Sequence, residues 1–507
     1  MIIIIDFGSQ YTQLICRRVR ELGVKSEIYP NNKPLPLKDP KVQGIILSGS
    51  PISLSDKKFP KPDKKIFDMG VPILGICYGM QVMVKILSGE VGKGTKREYG
   101  ETKFNILKKE KLFTGLPPSL KVWMSHYDTV KKLPPGFEIL GKTGSISFAA
   151  VGDKKRNLYG LQFHPEVVHT EKGQEIFSNF LFKICKCRKD WNLGEWIEIK
   201  VREIKKDVGR GKVIMALSGG VDSSVAAILI QRAIGDRFYP VFVEHGLTRW
   251  KDRKRIDDIL IKKMGLHVRI ADAEERFLRH LKGVRDPERK RKIIGREFIN
   301  VFMNEAKKIP GITHLAQGTL YPDVIESAGA GAGAAKIKSH HNVGGLPSSL
   351  KLKLIEPLRL LFKDEVRVVG RKLGIPEEII CQHPFPGPGL AVRIIGAVNK
   401  KRINILRRAD VIVEEELKKS GIYYDLWQAF PVFLPVKTVG VMGDMRTHEN
   451  VIALRLVESK DAMTANWAKV SHRVLSEIST RIVNEIHGVN RVVYDLTNKP
   501  PGTIEWE

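Results

Sequence analysis

The sequence contains no apolar run of about 18 residues, the length that a membrane-spanning helix requires. A basic leader is also missing, because the apolar segment 1–5 meets Asp6 at once, which predicts a buried strand and not a signal peptide. Five cysteines in 507 residues are too few and too scattered for a disulfide framework. Cys185 and Cys187 have no second Cys/His pair nearby that would complete a zinc site. These absences predict a protein of the reducing cytoplasm with no membrane partner.

Acidic residues are scarce relative to basic ones. The chain has 85 Lys and Arg against 56 Asp and Glu, a formal net charge of +29. Nucleic acid would explain such a charge, but the basic residues are spread along the chain and form no long tail. Anionic nucleotide substrates would also favour positive pockets, and a solvated surface accounts for part of any excess. Charge alone leaves RNA and small phosphates both open.

The length predicts about three domains, at roughly 150 residues each. We place them at residues 1–190, 191–382 and 383–507. In the first of these, short apolar runs alternate with helical patterns, which predicts an α/β fold with a mainly parallel sheet. Its predicted strands are at 2–5, 44–47, 72–76 and 159–163, and the last domain has predicted strands at 436–441 and 489–495 and a helix at 474–486.

Segment 217–224 (LSGGVDSS) lies between apolar runs at 213–216 and 225–230. This order predicts a strand, a tight turn and the start of a helix. Two glycines let the backbone close around an anion, and the N–H groups of a helix N-terminus point at it. A Walker loop would need a lysine that is absent here. The alternative is a serine- and glycine-rich turn that only caps a helix.

The pattern S-G-G-x-D-S resembles the pyrophosphate loop of ATP pyrophosphatases, which cleave ATP to AMP and pyrophosphate. The resemblance implies an adenylating domain with ATP as co-substrate and Mg²⁺ as cofactor. Asp222 and Asp323 are the implied metal ligands, and Asp323 and Glu326 are implied partners of the pyrophosphate or the metal. The implied loop residues are Ser218, Gly219, Gly220, Val221, Asp222, Ser223 and Ser224.

A second strand, turn and helix start is predicted at segment 75–81 (GICYGMQ). Cys77 stands where hydrolases place a serine in the nucleophile elbow, and the flanking glycines tolerate the sharp turn. A helix N-terminus favours the thiolate, and nearby N–H groups can stabilise an oxyanion. The segment therefore predicts a cysteine nucleophile.

A cysteine nucleophile needs a base, and the base needs a group that orients it. His164 and Glu166 follow a predicted apolar strand, and the proline between them keeps the chain extended, so both side chains can fall on one side. A His-Pro-Glu turn alone is commonly structural, but the cysteine elbow favours the catalytic interpretation. His126 is a weaker rival, which we interpret as structural.

Four segments of the first domain together resemble class I glutamine amidotransferases. That resemblance implies Cys77 as nucleophile, His164 as base and Glu166 as orienter. The segments are 6–11 (DFGSQY), 47–51 (LSGSP), 75–81 (GICYGMQ) and 162–166 (QFHPE).

The same resemblance implies an oxyanion hole from the backbone of Gly49 and Tyr78, with Gln81 near the substrate glutamine. Two positions depart from the family pattern. Ser50 stands where the family usually has a second glycine, and Tyr127 stands where it has a small residue.

Nearly the whole chain resembles the glutamine-hydrolysing GMP synthetase family. The family's substrates are xanthosine monophosphate (XMP), ATP and glutamine. The resemblance also implies an adenine-nucleotide α-hydrolase-like parallel-sheet domain and a smaller α+β dimerisation domain. It implies a homodimer that binds no nucleic acid. Glu244 stands where the family commonly has Asp, and the Gly/Ala run 328–335 is interpreted as a lid. The matching segments are 286–295, 317–327, 337–347, 383–390 and 499–507.

This resemblance also implies an adenylation lid and an XMP pocket. Lys363 and Asp364 are implied members of the adenylation site, and the alternative is that they form a charge cluster at the start of a helix. Glu507 lies at the end of the sequence, where disorder is common. The lid and adenylation residues implied are Lys338, His340, His341, Lys363 and Asp364, and those of the XMP pocket are Arg291, Pro386, Gly387, Gln428, Arg491, Lys499 and Glu507.

Two other functions remain open on the residues alone. An RNA-modifying pyrophosphate-loop enzyme would fit the basic charge, although the amidotransferase half and the absence of a C-x-x-C thiol pair disfavour it. A regulatory nucleotide-binding protein would have lost its activity, which the presence of Cys77, His164, Glu166 and Asp222 disfavours.

Overall fold

The computed structural model describes residues 1–36, 39–56, 58–329, 352–442, 444–459 and 464–507. It divides into two compact units. The first unit is Met1–Trp196 with a short segment that begins at Pro322, and the second holds Ile197–Tyr321 with the C-terminal part of the chain. Within the described ranges, no helix is long and apolar enough to cross a membrane.

Strands outnumber helices in the first unit. The strands are β1 (Ile2–Asp6), β2 (Ser26–Pro30), β3 (Gly44–Leu47), β4 (Ile73–Ile76), β5 (Glu90–Ile106), β6 (Ser119–Lys132), β7 (Glu138–Thr143), β8 (Ala150–Asp153) and β9 (Leu158–Leu161), and the helices are α1 (Thr12–Glu21), α2 (Tyr78–Ile86) and α3 (Gly173–Ser178).

One nine-stranded sheet organises the first unit, in the order β2-β1-β3-β4-β9-β8-β7-β5-β6. The strands from β2 to β9 run parallel, and the apolar runs predicted as strands in this domain are confirmed. Both faces of β1 are covered, since Ile2–Ile5 are fully buried. From β9 to β6 the pairing is antiparallel, which the prediction of a mainly parallel sheet did not include.

The second unit begins within a helix that crosses the boundary and contains two sheets. The helices from that point are α4 (Leu193–Val208), α5 (Val221–Ile234), α6 (Trp250–Arg255), α7 (Glu274–Leu281), α8 (Pro287–Lys307), α10 (Lys363–Lys372), α11 (Glu377–Ile380), α12 (Lys400–Lys419) and α13 (His472–Glu485). Helix α9 (Tyr321–Gly329) comes between α8 and α10 in sequence, but all of it except Tyr321 belongs to the first unit. The strands are β10 (Lys212–Ala216), β11 (Phe238–Glu244), β12 (Arg269–Asp272), β13 (Ile312–Ala316), β14 (Lys353–Ile355), β15 (Gln428–Met442), β16 (Met445–Glu458), β17 (Asn466–Trp467) and β18 (Val489–Tyr494).

The larger parallel sheet has the order β12-β11-β10-β13-β14, which confirms the predicted parallel-sheet class. A second sheet pairs β15 with β16 antiparallel, and β16 also pairs with β17 and β18. The strands predicted at 436–441 and 489–495 and the helix predicted at 474–486 are confirmed as β15, β18 and α13.

Both sheets of the second unit share one apolar core. Ile214 on β10, Leu406 on α12, Ile452 on β16 and Ile482 on α13 are fully buried members of the same cluster. Burial of these side chains against each other stabilises the two sheets as one body. The predicted division at residue 382 stays a prediction.

Candidate active sites

Cys77 lies in the tight turn between β4 and α2. Its backbone has φ 52 and ψ −108, a left-handed conformation that non-glycine residues rarely adopt outside strained functional sites. The neighbouring glycines are required by close backbone approaches. A Cβ on Gly79 would lie 2.2 Å from the carbonyl oxygen of Leu47, and one on Gly75 would lie 2.6 Å from the backbone of Gly79. The predicted elbow geometry is therefore present.

Substitution Gly79→Ala tests how tightly this turn is built. Because the added methyl meets a backbone atom and not a flexible side chain, we expect the first unit to lose about 1–3 kcal/mol of stability. The measurement is the free energy of unfolding by urea. The matched control is Gly144→Ala, where a new Cβ meets nothing within 4 Å. Equal stability of the two variants would contradict the close approach.

His164 and Glu166 form a buried pair just after β9. The Nδ1 of His164 lies 2.7 Å from Oε1 of Glu166. Burial lowers the pKa of His164, but the negative charge of Glu166 and the interaction with Cys77 outweigh it and raise that pKa well above its usual value. A protonated imidazole next to the Cys77 sulfur is the arrangement that stabilises a thiolate. The guanidinium of Arg18 donates to the backbone oxygen of Glu166 at 3.0 Å.

The two predicted oxyanion residues lie on different elements, with Gly49 just after β3 and Tyr78 directly after Cys77. A Cβ on Gly49 would lie 3.5 Å from Cε1 of His164, so the Gly49 backbone is close to the imidazole. Tyr78 begins α2, and its buried hydroxyl donates to the carbonyl oxygen of Pro60. Burial raises the pKa of Tyr78 above its usual value.

Gln81 is buried and tied to two partners. Its Nε2 donates to the backbone oxygen of Asp128 at 2.7 Å and to Oε1 of Gln162 at 3.1 Å. Gln162 in turn donates through Nε2 to the Cys77 sulfur at 3.6 Å. Sequence reasoning assigned no role to Gln162. Its signal was a polar side chain at the end of an apolar strand, immediately before the His-Pro-Glu turn.

Three further residues of this unit carried a specific expectation. His126 is buried, with Nε2 3.1 Å from Glu98 and Nδ1 3.2 Å from the Asp128 backbone oxygen, and burial lowers its pKa. Those contacts suit a structural residue. Ser50 accepts from the backbone N–H of Ile52, and Tyr127 is partly exposed.

The segment LSGGVDSS forms the predicted turn between β10 and α5. Gly219 has φ +77, the left-handed conformation that glycine adopts without strain. The Ser218 hydroxyl accepts from the backbone N–H of Gly220 at 3.3 Å and lies 3.0 Å from the Ser223 hydroxyl. Ser223 donates to the Gly220 carbonyl at 3.1 Å. These bonds hold the turn closed at the start of α5, which begins at Val221.

Asp222 and Lys363 meet at this turn, although they are far apart in sequence. The Lys363 Nζ lies 2.6 Å from Oδ2 of Asp222. The other carboxylate oxygen, Oδ1, is buried and has no hydrogen-bond partner among the described residues, and the same is true of the Ser224 hydroxyl. A buried polar atom without a partner is costly unless a ligand satisfies it. Lys363 also begins α10, so the helix-start interpretation describes its position equally well.

Magnesium fits this arrangement. Mg²⁺ prefers oxygen ligands and is usually held by one or two carboxylates together with substrate phosphates. The unpartnered Oδ1 of Asp222 is such an oxygen. In the described part of the chain, no three His, Cys, Asp or Glu side chains group closely enough to hold a metal by themselves. Phosphate oxygens and water would supply the other ligands of a bound Mg²⁺.

The other residues predicted for the ATP site are only partly described. Asp323 and Glu326 both lie on α9. Asp364 is the exposed second residue of α10. Lys338, His340 and His341 lie outside the described residues.

Glu507 is bound by two neighbouring residues of α8. Lys290, which is fully buried, donates to Oε2 of Glu507 and to the carbonyl oxygens of Ala391 and Ile394. The guanidinium of Arg291 donates to the backbone oxygen of Glu507. Burial lowers the pKa of Lys290, and the Glu507 carboxylate opposes that effect. The end of the sequence is thus held in place by charge and hydrogen bonds.

A second cluster joins Gln428 to the same C-terminal segment. Gln428 donates to Oε1 of Glu505 at 2.7 Å and to the carbonyl of Pro384 at 3.1 Å. Arg393 is almost fully buried, pairs with Glu505 at 2.9 Å and stacks over Phe430 at 3.9 Å. Sequence reasoning did not select Arg393 or Glu505.

The remaining predicted pocket residues lie on a loop and on the last strand. Pro386 and Gly387 follow Pro384 in the loop before Gly389. Arg491 is exposed on β18, with its guanidinium 3.5 Å from the Val439 carbonyl. Lys499 pairs through its backbone with Ala465. Their roles in an XMP pocket stay predictions.

Three protein-family models match the chain in succession. Residues 3–184 match the model described as glutamine amidotransferase class-I. Residues 193–306 match NAD synthase, and residues 415–506 match the GMP synthase C terminal domain.

Curated relatives match over the full length. The chain is 56% identical over 507 residues to the glutamine-hydrolyzing GMP synthase of Aquifex aeolicus, covering 100% of this chain and 99% of that protein. It is 54% identical over 507 residues to the enzyme of the same name from Brachyspira hyodysenteriae, with the same coverage. Among solved structures, a glutamine amidotransferase from Thermotoga maritima is 21% identical, covers 41% of this chain and 84% of that chain, and has a TM-score of 0.28.

Proposed function

The chain belongs to the family of glutamine-hydrolysing GMP synthases, and from that premise we propose that it makes GMP from XMP, ATP and glutamine. One observation carries the proposal: a single chain joins a cysteine elbow with a buried His-Glu pair to a strand-SGGVDSS-helix turn, and its relatives match both parts from end to end. Glutamine would supply ammonia, and ATP would activate XMP. The pathway is the de novo synthesis of guanine nucleotides.

Glutamine hydrolysis would proceed through Cys77. Its thiolate attacks the carboxamide carbon of glutamine, and the backbone N–H groups of Gly49 and Tyr78 stabilise the oxyanion. Protonated His164 gives its proton to the leaving nitrogen, so ammonia departs and a thioester remains. His164 then takes a proton from water, which attacks the thioester and releases glutamate. Glu166, at 2.7 Å, holds the imidazole and favours its protonated form.

The pKa of His164 gives a prediction for pH dependence. Since the Glu166 carboxylate raises that pKa, Glu166→Gln should lower it and deprotonate His164 at lower pH. Less of the enzyme would then hold the proton for the leaving nitrogen, so the alkaline limb of the glutaminase profile should move to lower pH. The measurement is kcat against pH for glutamate release. An unmoved alkaline limb would contradict the role of Glu166.

XMP activation would take place at the SGGVDSS turn. The C2 oxygen of XMP attacks the α-phosphorus of ATP, the bond to the bridging oxygen breaks, and pyrophosphate leaves. Ammonia then attacks C2 and expels AMP, which yields GMP. The positive charge of Lys363 would lie beside the leaving pyrophosphate. The departing phosphates would be cradled by Ser218, Gly219, Gly220, Ser223 and Ser224.

Asp222 is the proposed magnesium ligand at this turn, and Asp323 stays a prediction for the same metal. The buried Oδ1 of Asp222 supports the first assignment, because it lacks a partner in the described residues. Bound Mg²⁺ would offset the negative charge of the phosphates. Asp364, Lys338, His340 and His341 remain predictions for the same reaction, and the last three lie outside the described residues.

The XMP pocket is proposed around the segment that Lys290 and Arg291 hold. Substitution Lys290→Met would leave the nearly buried Glu507 without its cation, which is expected to cost about 3–5 kcal/mol of stability. We also expect a higher KM for XMP, because the C-terminal segment would loosen. The measurements are urea unfolding and steady-state kinetics, with exposed Lys292→Met as the matched control. A variant with unchanged stability and unchanged KM would contradict this anchoring.

A coupled assay tests the proposed function. Purified protein is given ATP, Mg²⁺, XMP and glutamine, and GMP, pyrophosphate and glutamate are followed together. The expected result is their appearance in equal amounts. Pyrophosphate without GMP would show that XMP is adenylated but that ammonia from glutamine does not reach it. Absence of both pyrophosphate and GMP would overturn the proposal.

The alternatives from the sequence receive less support. The full-length relatives carry the name GMP synthase, and an RNA-modifying pyrophosphate-loop enzyme finds no comparable support in them. Within the proposal, XMP, ATP and glutamine are the partners, the chain forms a homodimer, and the compartment is the cytoplasm.

A further inference from the structure

A chain of buried amides runs to the Cys77 sulfur. It starts at the backbone oxygen of Asp128, passes through the side chains of Gln81 and Gln162, and ends at Sγ of Cys77, with distances of 2.7, 3.1 and 3.6 Å. Gln81 and Gln162 are almost completely buried, so no bulk water competes for these bonds. The chain therefore has a fixed set of partners.

The direction of every bond in this chain follows from its first member. A backbone oxygen can only accept, so Gln81 must present Nε2 to Asp128. The same nitrogen offers its second hydrogen to Gln162, which must answer with Oε1. Nε2 of Gln162 is then left to face the Cys77 sulfur. A backbone carbonyl thus fixes which end of Gln162 points at the reacting atom.

Another polar neighbour of the sulfur disfavours its ionised form. The backbone oxygen of Ser125 lies 3.6 Å from Sγ, where it can accept from a thiol but repels a thiolate. His164 supplies positive charge to the thiolate, and Gln162 is a neutral N–H donor. Hydrogen bonds to an ionised acceptor are about twice as strong as neutral ones.

We propose that Gln162 is a further catalytic residue for glutamine hydrolysis, which donates its Nε2 hydrogen to the Cys77 thiolate and so maintains the nucleophile in its reactive form. The inference rests on the proposed function. Gln81 acts through Gln162 as a positioning residue, because its own amide fixes the orientation of the second one.

The test uses Gln162→Glu, which keeps the shape and replaces the donor with an acceptor, and Gln162→Met, which removes the donor without adding charge. Alkylation of Cys77 by iodoacetamide is measured against pH, because it reports the thiolate directly. We expect the alkylation profile of both variants to move to higher pH. We also expect kcat/KM for glutamine to fall by about 10–100-fold, the loss that corresponds to one hydrogen bond to a charged group. Synthesis with ammonium chloride should be unchanged.

Gln43→Glu is the matched control. Gln43 lies just before β3, whereas Gly49 of the proposed oxyanion hole lies just after the other end of that strand. The substitution therefore makes the same chemical change, glutamine to glutamate, away from the proposed active site. Normal alkylation profiles in both Gln162 variants, with glutamine hydrolysis intact in the unaltered enzyme, would overturn the inference. Failure of the unaltered enzyme to hydrolyse glutamine would instead count against the proposed function. If the glutamate variant does not fold, the methionine variant alone decides.

Discussion

Substitution Cys77→Ala is expected to lower glutamine-dependent GMP synthesis by at least about 10⁴-fold, since no other group can form the thioester. The same protein should still make GMP when ammonium chloride replaces glutamine. Asp222 and Lys363 of the proposed adenylation site lie in the other unit, and their ion pair does not involve Cys77. The measurement is GMP formation with each nitrogen source in one preparation.

Cys187→Ala is the matched control for this prediction. Cys187 is a buried free cysteine of the same unit, so the substitution removes a similar thiol from a similar environment. Both activities should persist in that variant. If Cys77→Ala lost ammonia-driven synthesis as well, the division of labour between the two units would be wrong.

The two turns could be predicted because their requirements are local. Gly75 and Gly79 each stand two positions from Cys77. Both must be glycine because a Cβ at either position would collide with a neighbouring backbone atom. At SGGVDSS, the hydroxyls and glycines that close the turn are neighbours in sequence. Such requirements leave a readable pattern of residue types.

Long-range partners left no such pattern. Gln162 acquires its role from Gln81 and Asp128, which are distant in sequence, and only the fold brings them together. Arginines usually lie at the surface, yet Arg393 and Arg455 are both buried. Arg455 is satisfied by carbonyl oxygens of residues 497 and 503, which belong to the far end of the chain.

The antiparallel half of the first sheet was missed for a different reason. In β6 the buried residues alternate with exposed or half-buried ones, so no continuous apolar run marks the strand. One face of such a strand packs on the core while the other meets solvent. Apolar runs therefore revealed the central parallel strands and passed over β5 and β6.

Substitution Asp222→Asn is the second change with a large expected effect. It preserves the shape of the side chain but removes the charge that meets Lys363 and that would hold Mg²⁺. Pyrophosphate release should fall by about 10²–10³-fold, the loss typical when one electrostatic group is removed from a site. Because adenylation precedes nitrogen transfer, the loss should be equal with glutamine and with ammonium chloride.

The control and the second variant separate the metal from the ion pair. Asp236→Asn removes an exposed carboxylate from the same unit and should leave pyrophosphate release unchanged.

Lys363→Met removes the cation and keeps the Asp222 carboxylate. If Asp222 acts mainly through Mg²⁺, only Asp222→Asn should raise the Mg²⁺ concentration needed for half-maximal rate. If its role is to hold Lys363, the two variants should lose activity alike with no change in that concentration. Normal pyrophosphate release in Asp222→Asn would remove Asp222 from the ATP site.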